Sequence, residues 1–145
     1  MKIYFDAITI DAQRTIELTF SSNVHNRPLT VEVCFSMDCT GPMGHWIGAG
    51  KQHIKAIADG IQSEMKEKYD KDSILRVAFV AYCDCNGPCR FNCIDFHQAP
   101  NLEPVQAKIA TQQLLSDTDL CEDVQGGLDK ALQLSWTKES SSCAA

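Results

Sequence analysis

The chain has 145 residues, 44% of them hydrophobic and 22% charged, the make-up of one soluble globular domain; a disordered or fibrous chain is excluded. Its net charge of −6, with 13 scattered lysines and arginines, leaves no basic patch for DNA or RNA. No run reaches the roughly 18 apolar residues that span a bilayer, and MKIYFDAITI has Asp6 where a secretory signal would carry its apolar stretch, which points to the cytosol.

At the start of the chain, KIYFDAITI and RTIELTF alternate in polarity and are joined by DAQ, the pattern of a hairpin. Residues 29 to 35, LTVEVCF, are apolar or β-branched at nearly every position, as in a strand buried on both faces of a parallel sheet. The chain breaks at Asp38 and turns through Gly41 and Pro42. From Met43 to Tyr69 the apolar residues Ile47, Ile54, Ile57, Ala58, Ile61 and Met65 recur with helical spacing, while Lys51, Lys55, Glu64 and Lys68 fall elsewhere. Residues 74 to 82, ILRVAFVAY, predict a second buried strand. Strand, helix, strand is a right-handed crossover with parallel strands.

After the loop CDCNGPCR, the short alternating FNCIDF predicts an edge strand antiparallel to the one before it. Residues 103 to 115 read as a helix with Pro104 in its first turn and Val105, Ile109 and Leu114 or Leu115 inward. A last helix runs from about Glu122 to Trp136 with Val124, Leu128, Ala131, Leu132 and Trp136 on its inner side. The end, TKESSSCAA, is polar and small, a frayed tail. The order is that of an α/β layered fold that stops early, its last helix not followed by the strand it would normally lead into.

In such sheets ligands bind beyond the carboxyl ends of the strands. Three stretches deliver oxygen donors there: Asp38 and Thr40 after the first buried strand, Asp84 after the second, and Asp117 or Asp119 before the last helix. Singly, each is an ordinary cap or turn residue. Together they suit a hard divalent cation, which takes oxygen ligands and, as Mg2+, keeps several waters.

These residues carry a family resemblance. VCFSMDCTGPMGHWI resembles the metal-binding first loop of a von Willebrand factor type A domain, of the variety found with alpha-type protein kinases. RVAFVAYCDCNGPCRFNCIDF is similar to that variety's second strand and hairpin, and DLCEDVQGGLDKALQLSW to a later block of it. The resemblance covers about residues 29 to 136, leaving residues 1 to 28 as a strand-rich extension and 137 to 145 as the tail. It implies a doubly wound, Rossmann-like α/β sheet with flanking helices, truncated after the third core helix, and a metal-ion-dependent adhesion site, at which Mg2+ or Mn2+ on the sheet's rim binds an acidic side chain of a protein partner. Carried over by position, the ligands are Asp38, Thr40 and Asp119, with Asp84 in the loop where the family uses Thr. Pro42 stands where the motif has its second hydroxyl and supplies no donor, so the ion is held weakly or is lost.

The family's sheet continues with three further strands that this chain lacks. One edge of the 29 to 35 strand then needs covering, by residues 3 to 20 or by self-association.

Other chemistries read less well. Cys83, Cys85, Cys89 and Cys93 lie within eleven residues and form a candidate zinc set, but without the C-x2-C knuckles of a structural site. The eight cysteines otherwise read as reduced thiols. GPMGHWIGAGK lacks the spacing of a phosphate loop, and its glycines read as packing positions for the helix on the sheet. His45, His53 and His97 are isolated, and no nucleophile has a neighbouring base. Cys39 lies near a helix N-terminus that favours a thiolate. The reading is therefore a binding module and not an enzyme. Its alternatives are a metal-free scaffold piece of a larger kinase-associated protein, or a small zinc protein.

Overall fold

The computed structural model describes residues 2–6, 30–68, 72–85, 89–115 and 122–137. The elements in chain order are β1 (Lys2–Asp6), β2 (Thr30–Asp38), α1 (Gly44–Lys68), β3 (Ile74–Tyr82), β4 (Phe91–Gln98), α2 (Glu103–Thr111) and α3 (Val124–Leu132). A 3-10 turn, Gly41–Met43, leads into α1 with Pro42 near its start, where a missing N–H costs nothing.

The four strands form one mixed sheet in the order β1-β2-β3-β4. β2 and β3 pair in parallel along their whole length, from Thr30 opposite Ile74 to Asp38 opposite Tyr82. β4 returns antiparallel to β3, as its alternating sequence predicts. The other edge of β2 is taken by β1, which runs parallel with Ile3 opposite Val33 and Phe5 opposite Phe35. The edge of β2 expected to need a cover is thus covered, in part, by Lys2–Asp6. The predicted hairpin, the rest of residues 7 to 29 and the tail beyond Thr137 lie outside the described residues.

Strand alternation divides the core into two layers. Val31, Val33, Phe35 and Met37 of β2 and Leu75, Val77, Phe79 and Ala81 of β3 pack against α1, through Ile47, Ile54, Ala58, Ile61 and Met65, and against Val105 and Ile109 of α2. Cys34, Ala78 and Val80 on the opposite face pack against Ala131 of α3, with Leu134 and Trp136 beside them. Helices therefore cover both faces of the sheet.

Two expectations about the helices need correction. α2 ends at Thr111, so Leu115, half-buried against the core, follows the helix in a turn, and Leu114 is exposed. In α3 the inward residues are Gly127 and Ala131. Val124, Leu128 and Leu132, assigned inward by their spacing, are exposed, Leu132 by 60%. The helix turns its smallest residues to the sheet because it packs too close for a side chain at Gly127: a Cβ there would lie 2.6 Å from Tyr82 Cδ1.

Beyond α3 the chain is fastened across the sheet. Glu32, buried in β2, forms an ion pair with Arg76 of β3 and accepts hydrogen bonds from the Thr137 N–H and from Thr137 Oγ1 at 2.7 Å. Asp95 of β4 accepts from Ser135 Oγ at 2.7 Å and from the Ser135 N–H. Arg76 donates to the Ser135 carbonyl and lies over the Phe96 ring, which meets Trp136 edge-on at 4.5 Å. The one buried carboxylate within the LTVEVCF run is thus paired, as burial of a charge requires.

Candidate metal centre

Asp38 ends β2 directly opposite Tyr82, the last residue of β3. The Cys39 N–H donates to the Tyr82 carbonyl at 2.8 Å, so the strands remain joined as the chain turns away. The Thr40 N–H then donates to Asp38 Oδ1 at 2.9 Å, closing an Asx turn that holds the Asp38 carboxylate at the rim.

Thr40 is 1% exposed, and its Oγ1 has no hydrogen-bond partner among the described residues. It precedes the 3-10 turn in the N-cap position, yet its side chain makes no capping hydrogen bond. The ordinary role of a threonine at a helix start is therefore not the one it plays here. A buried hydroxyl without a partner costs roughly 1–3 kcal/mol, and a cation bound at the turn would supply the missing contact.

Asp84 lies two residues past the end of β3, fully buried, in an antiparallel bridge with Glu122. The Asp123 N–H donates to the Cys83 carbonyl at 3.0 Å, which fastens the approach to α3 across the same end of β3. Burial pushes the Cys83 thiol up from its ordinary value, and the nearby Asp84, Cys89 and Asp38 charges push it further. Both carboxylates therefore act on one thiol. Asp38, Thr40 and Asp84 lie at one rim, in loops that leave neighbouring parallel strands.

Asp119, the fourth expected ligand, lies outside the described residues, as does Asp117. Among the described residues, no group of three or more His, Cys, Asp or Glu side chains is arranged to hold a metal. The oxygen set at the rim is two aspartates and a threonine. Pro42 is exposed in the 3-10 turn and offers no donor. These are hard oxygen donors, the ligand type that Mg2+ and Mn2+ accept, and the Thr40 hydroxyl among them has no partner among the described residues.

Asp123, which the sequence reading passed over, is not part of that set. Its Oδ1 accepts from the Gly126 N–H at 3.0 Å as the N-cap of α3, and its Oδ2 pairs with Arg90. The Arg90 hydrogen bond is the main reason its carboxyl stays below the ordinary range. An Asp one residue ahead of an apolar helical run was the available signal.

The four hairpin cysteines do not converge. Cys93 packs with Cys34, Val80 and Ala131 on the α3 face. Cys83 lies beside Cys39, which belongs to the layer on the other face, while Cys85 and Cys89 are exposed. Cys39, near a helix start but without a partner among the described residues that would activate it, has a thiol pKa raised above its ordinary value. Burial pushes it up to about 12, with the Asp38 charge adding to the effect.

No protein-family model, curated protein or solved structure matches the chain.

Proposed function

We propose that this chain is a protein–protein interaction module that holds Mg2+ or Mn2+ at the rim of its sheet and binds an acidic group of a partner through it, as the resemblance to von Willebrand A domains implies. Asp38 and Thr40 are the first ligands and Asp84 lies across from them; Asp119 is the ligand expected from the loop before α3. The observation that carries the reading is Thr40 Oγ1, buried and without a hydrogen-bond partner among the described residues, in the turn whose Thr40 N–H holds the Asp38 carboxylate. The −6 net charge adds a reason for an ion: an acidic partner approaching two aspartates needs a cation between them.

Bound there, the metal supplies open coordination positions and positive charge for a partner carboxylate. Asp38 and Asp84 contribute charge, and Thr40 contributes a neutral oxygen, so that the ion keeps some of its attraction for a further anion. The test is calorimetric titration of Mg2+ and of Mn2+ into the wild-type chain, Asp38→Ala and Thr40→Ala. Heat of binding in the wild type, lost in Asp38→Ala and weakened in Thr40→Ala, is the expected result. No binding in the wild type, or equal binding in all three, refutes it and leaves the metal-free scaffold.

A further inference from the structure

The metal-binding reading uses the rim of the sheet and leaves the space between α1 and α2 without a role. The two helices pack on the same face of the sheet, and between them lies a cavity of about 340 Å3. Its floor is Val77 of β3, with Ile54 on one wall and Val105 and Ile109 on the other, all buried. Small-molecule sites occupy roughly 300–1,000 Å3 and are often found between helices.

Helical spacing explains why the helices do not close on each other. Gly48, Lys51, Gln52 and Lys55 recur three and four residues apart and so share the side of α1 that lines the groove. Small residues stand where bulk would fill the gap: Gly48 on one lip, Ala110 on the other, and Ala58 deeper. A Cβ at Gly48 would meet nothing within 4 Å. The void forfeits packing contacts that a larger side chain there would supply.

The lip differs in chemistry from the floor. Its long side chains are those of Lys51, Gln52, Lys55 and Gln106, and no Asp or Glu among the described residues lines the groove, although the chain carries a net charge of −6. Lys51 Nζ donates to the Ala110 carbonyl at 2.9 Å, bridging the two helices. Its charge meets a neutral acceptor there, and an ammonium has further hydrogens to donate. Lys55 pairs with Asp59, but both side chains are exposed, and such a pair contributes little. Positive charge above an apolar floor complements a ligand with an anionic head and an apolar tail.

We propose that the groove between α1 and α2 binds a linear amphipathic carboxylate, of the medium-chain fatty acid class, with its tail against Ile54, Val77 and Val105 and its head group at Lys51 and Lys55. The site is independent of the metal-binding reading, since Asp38, Thr40 and Asp84 are not among its lining residues.

The test is titration of decanoate, below its micelle-forming concentration and with a chelator present, into the whole chain, followed by calorimetry and by amide NMR shifts. Saturable binding is expected, with the largest shifts at residues 48–58 and 102–110. Affinity is expected to rise about threefold per methylene from hexanoate to decanoate, as burial of an apolar tail requires. Decyltrimethylammonium, with a similar tail and the opposite charge, is expected to bind at least about tenfold more weakly. Gly48→Leu fills the groove with a better helix former, so it is expected to fold, as thermal unfolding checks, and to bind decanoate at least about tenfold more weakly. Lys51→Gln is expected to weaken binding about three- to tenfold, and Lys55→Gln, which leaves the bridge between the helices in place, by less.

Absence of saturable binding, equal binding of the ammonium compound, shifts confined to the rim of the sheet, or unchanged affinity in folded Gly48→Leu overturns the proposal. Should Lys51→Gln fail to fold, unchanged affinity in Lys55→Gln overturns the placement of the head group.

Discussion

Tyr82 and Gly127 are in contact such that the tyrosine ring occupies the space a side chain at 127 would need, with 2.6 Å from a notional Cβ to Cδ1. This contact sets how closely α3 approaches β3, and β3 is the strand whose end carries Asp84. Gly127→Ala is expected to destabilise the fold by about 1–3 kcal/mol, the usual cost of overpacking a tight contact. Gly48→Ala in α1, where a Cβ meets nothing within 4 Å, is expected to stabilise by about 0.5–1 kcal/mol through helix propensity alone. Urea denaturation of both variants measures the difference, and equal effects would contradict the packing described.

Glu32 and Arg76 are a pair whose carboxylate is almost fully buried and whose guanidinium is not. Glu32→Gln removes the direct ion-pair partner of Arg76 and is expected to cost about 2–3 kcal/mol, somewhat below the range for wholly buried pairs because Arg76 retains some water and the Asp95 charge nearby. Thermal unfolding near neutral pH is the check.

Asp95 makes the attachment of Ser135 pH-dependent. Burial pulls its pKa up, but hydrogen bonds from Ser135 and the Phe96 N–H, with the Arg76 charge, outweigh burial and set the net value below 3.8. A carboxyl lowered in the folded state stabilises the fold above its unfolded pKa, and that contribution is lost as pH falls through the folded value. Asp95→Asn is therefore expected to cost stability near pH 7, about 0.5–1 kcal/mol for an exposed group, and to cost progressively less as pH falls through the lowered folded value. Denaturation curves for wild type and variant across pH 2–7 should converge at the acid end.

The thiols should react in an order set by burial. Cys34 and Cys39 are pushed up to about 12 by burial, whereas Cys85 and Cys89 are exposed. At pH 8 a maleimide is expected to label Cys85 and Cys89 well before Cys34 or Cys39, because only the thiolate is the nucleophile. Peptide mass spectrometry after timed quenching gives the order, and early labelling of Cys39 would overturn its placement.

On α3, Leu132→Ser is expected to change stability by no more than about 0.5 kcal/mol, since the residue is largely in solvent. Helical spacing made the opposite assignment. Val124, Leu128 and Leu132 recur as regularly as an inward stripe, while Gly127 and Ala131, which make the actual contact, register weakly on any hydrophobic pattern. A close packing distance is a property of two surfaces, and Tyr82 lies 45 residues away in sequence.

The elements that were legible share one trait: they are long and carry their environment in their own composition. LTVEVCF and ILRVAFVAY are strands buried on both faces whatever surrounds them, and the helix between them shows its stripe over about five turns. That Asp38, Thr40 and Asp84 stand at or just past the ends of β2 and β3 was legible, because those strands mark their own ends. Polar groups buried elsewhere were not. Gln112 sits in the stretch TQQLL, where nothing local marks it as buried, and its side-chain partner Asn92 comes from β4. Glu32 stands in an apolar strand, and neither Arg76 nor Thr137 is near it in the chain.

The two tryptophans of the chain occupy contrasting surroundings. Trp136 lies edge-on to Phe96, with its indole N–H donating to the Ala131 carbonyl at 2.8 Å, while Trp46 stands 58% exposed on the first turns of α1, just after the Asp38–Thr40 turn. The protein thus contains two intrinsic fluorophores with separate meanings. Detachment of the residues after α3 would red-shift and quench the emission of Trp136, while Trp46, already largely in solvent, would change little. A Trp46→Phe variant would leave Trp136 as the sole fluorophore, so that this attachment could be followed by emission alone.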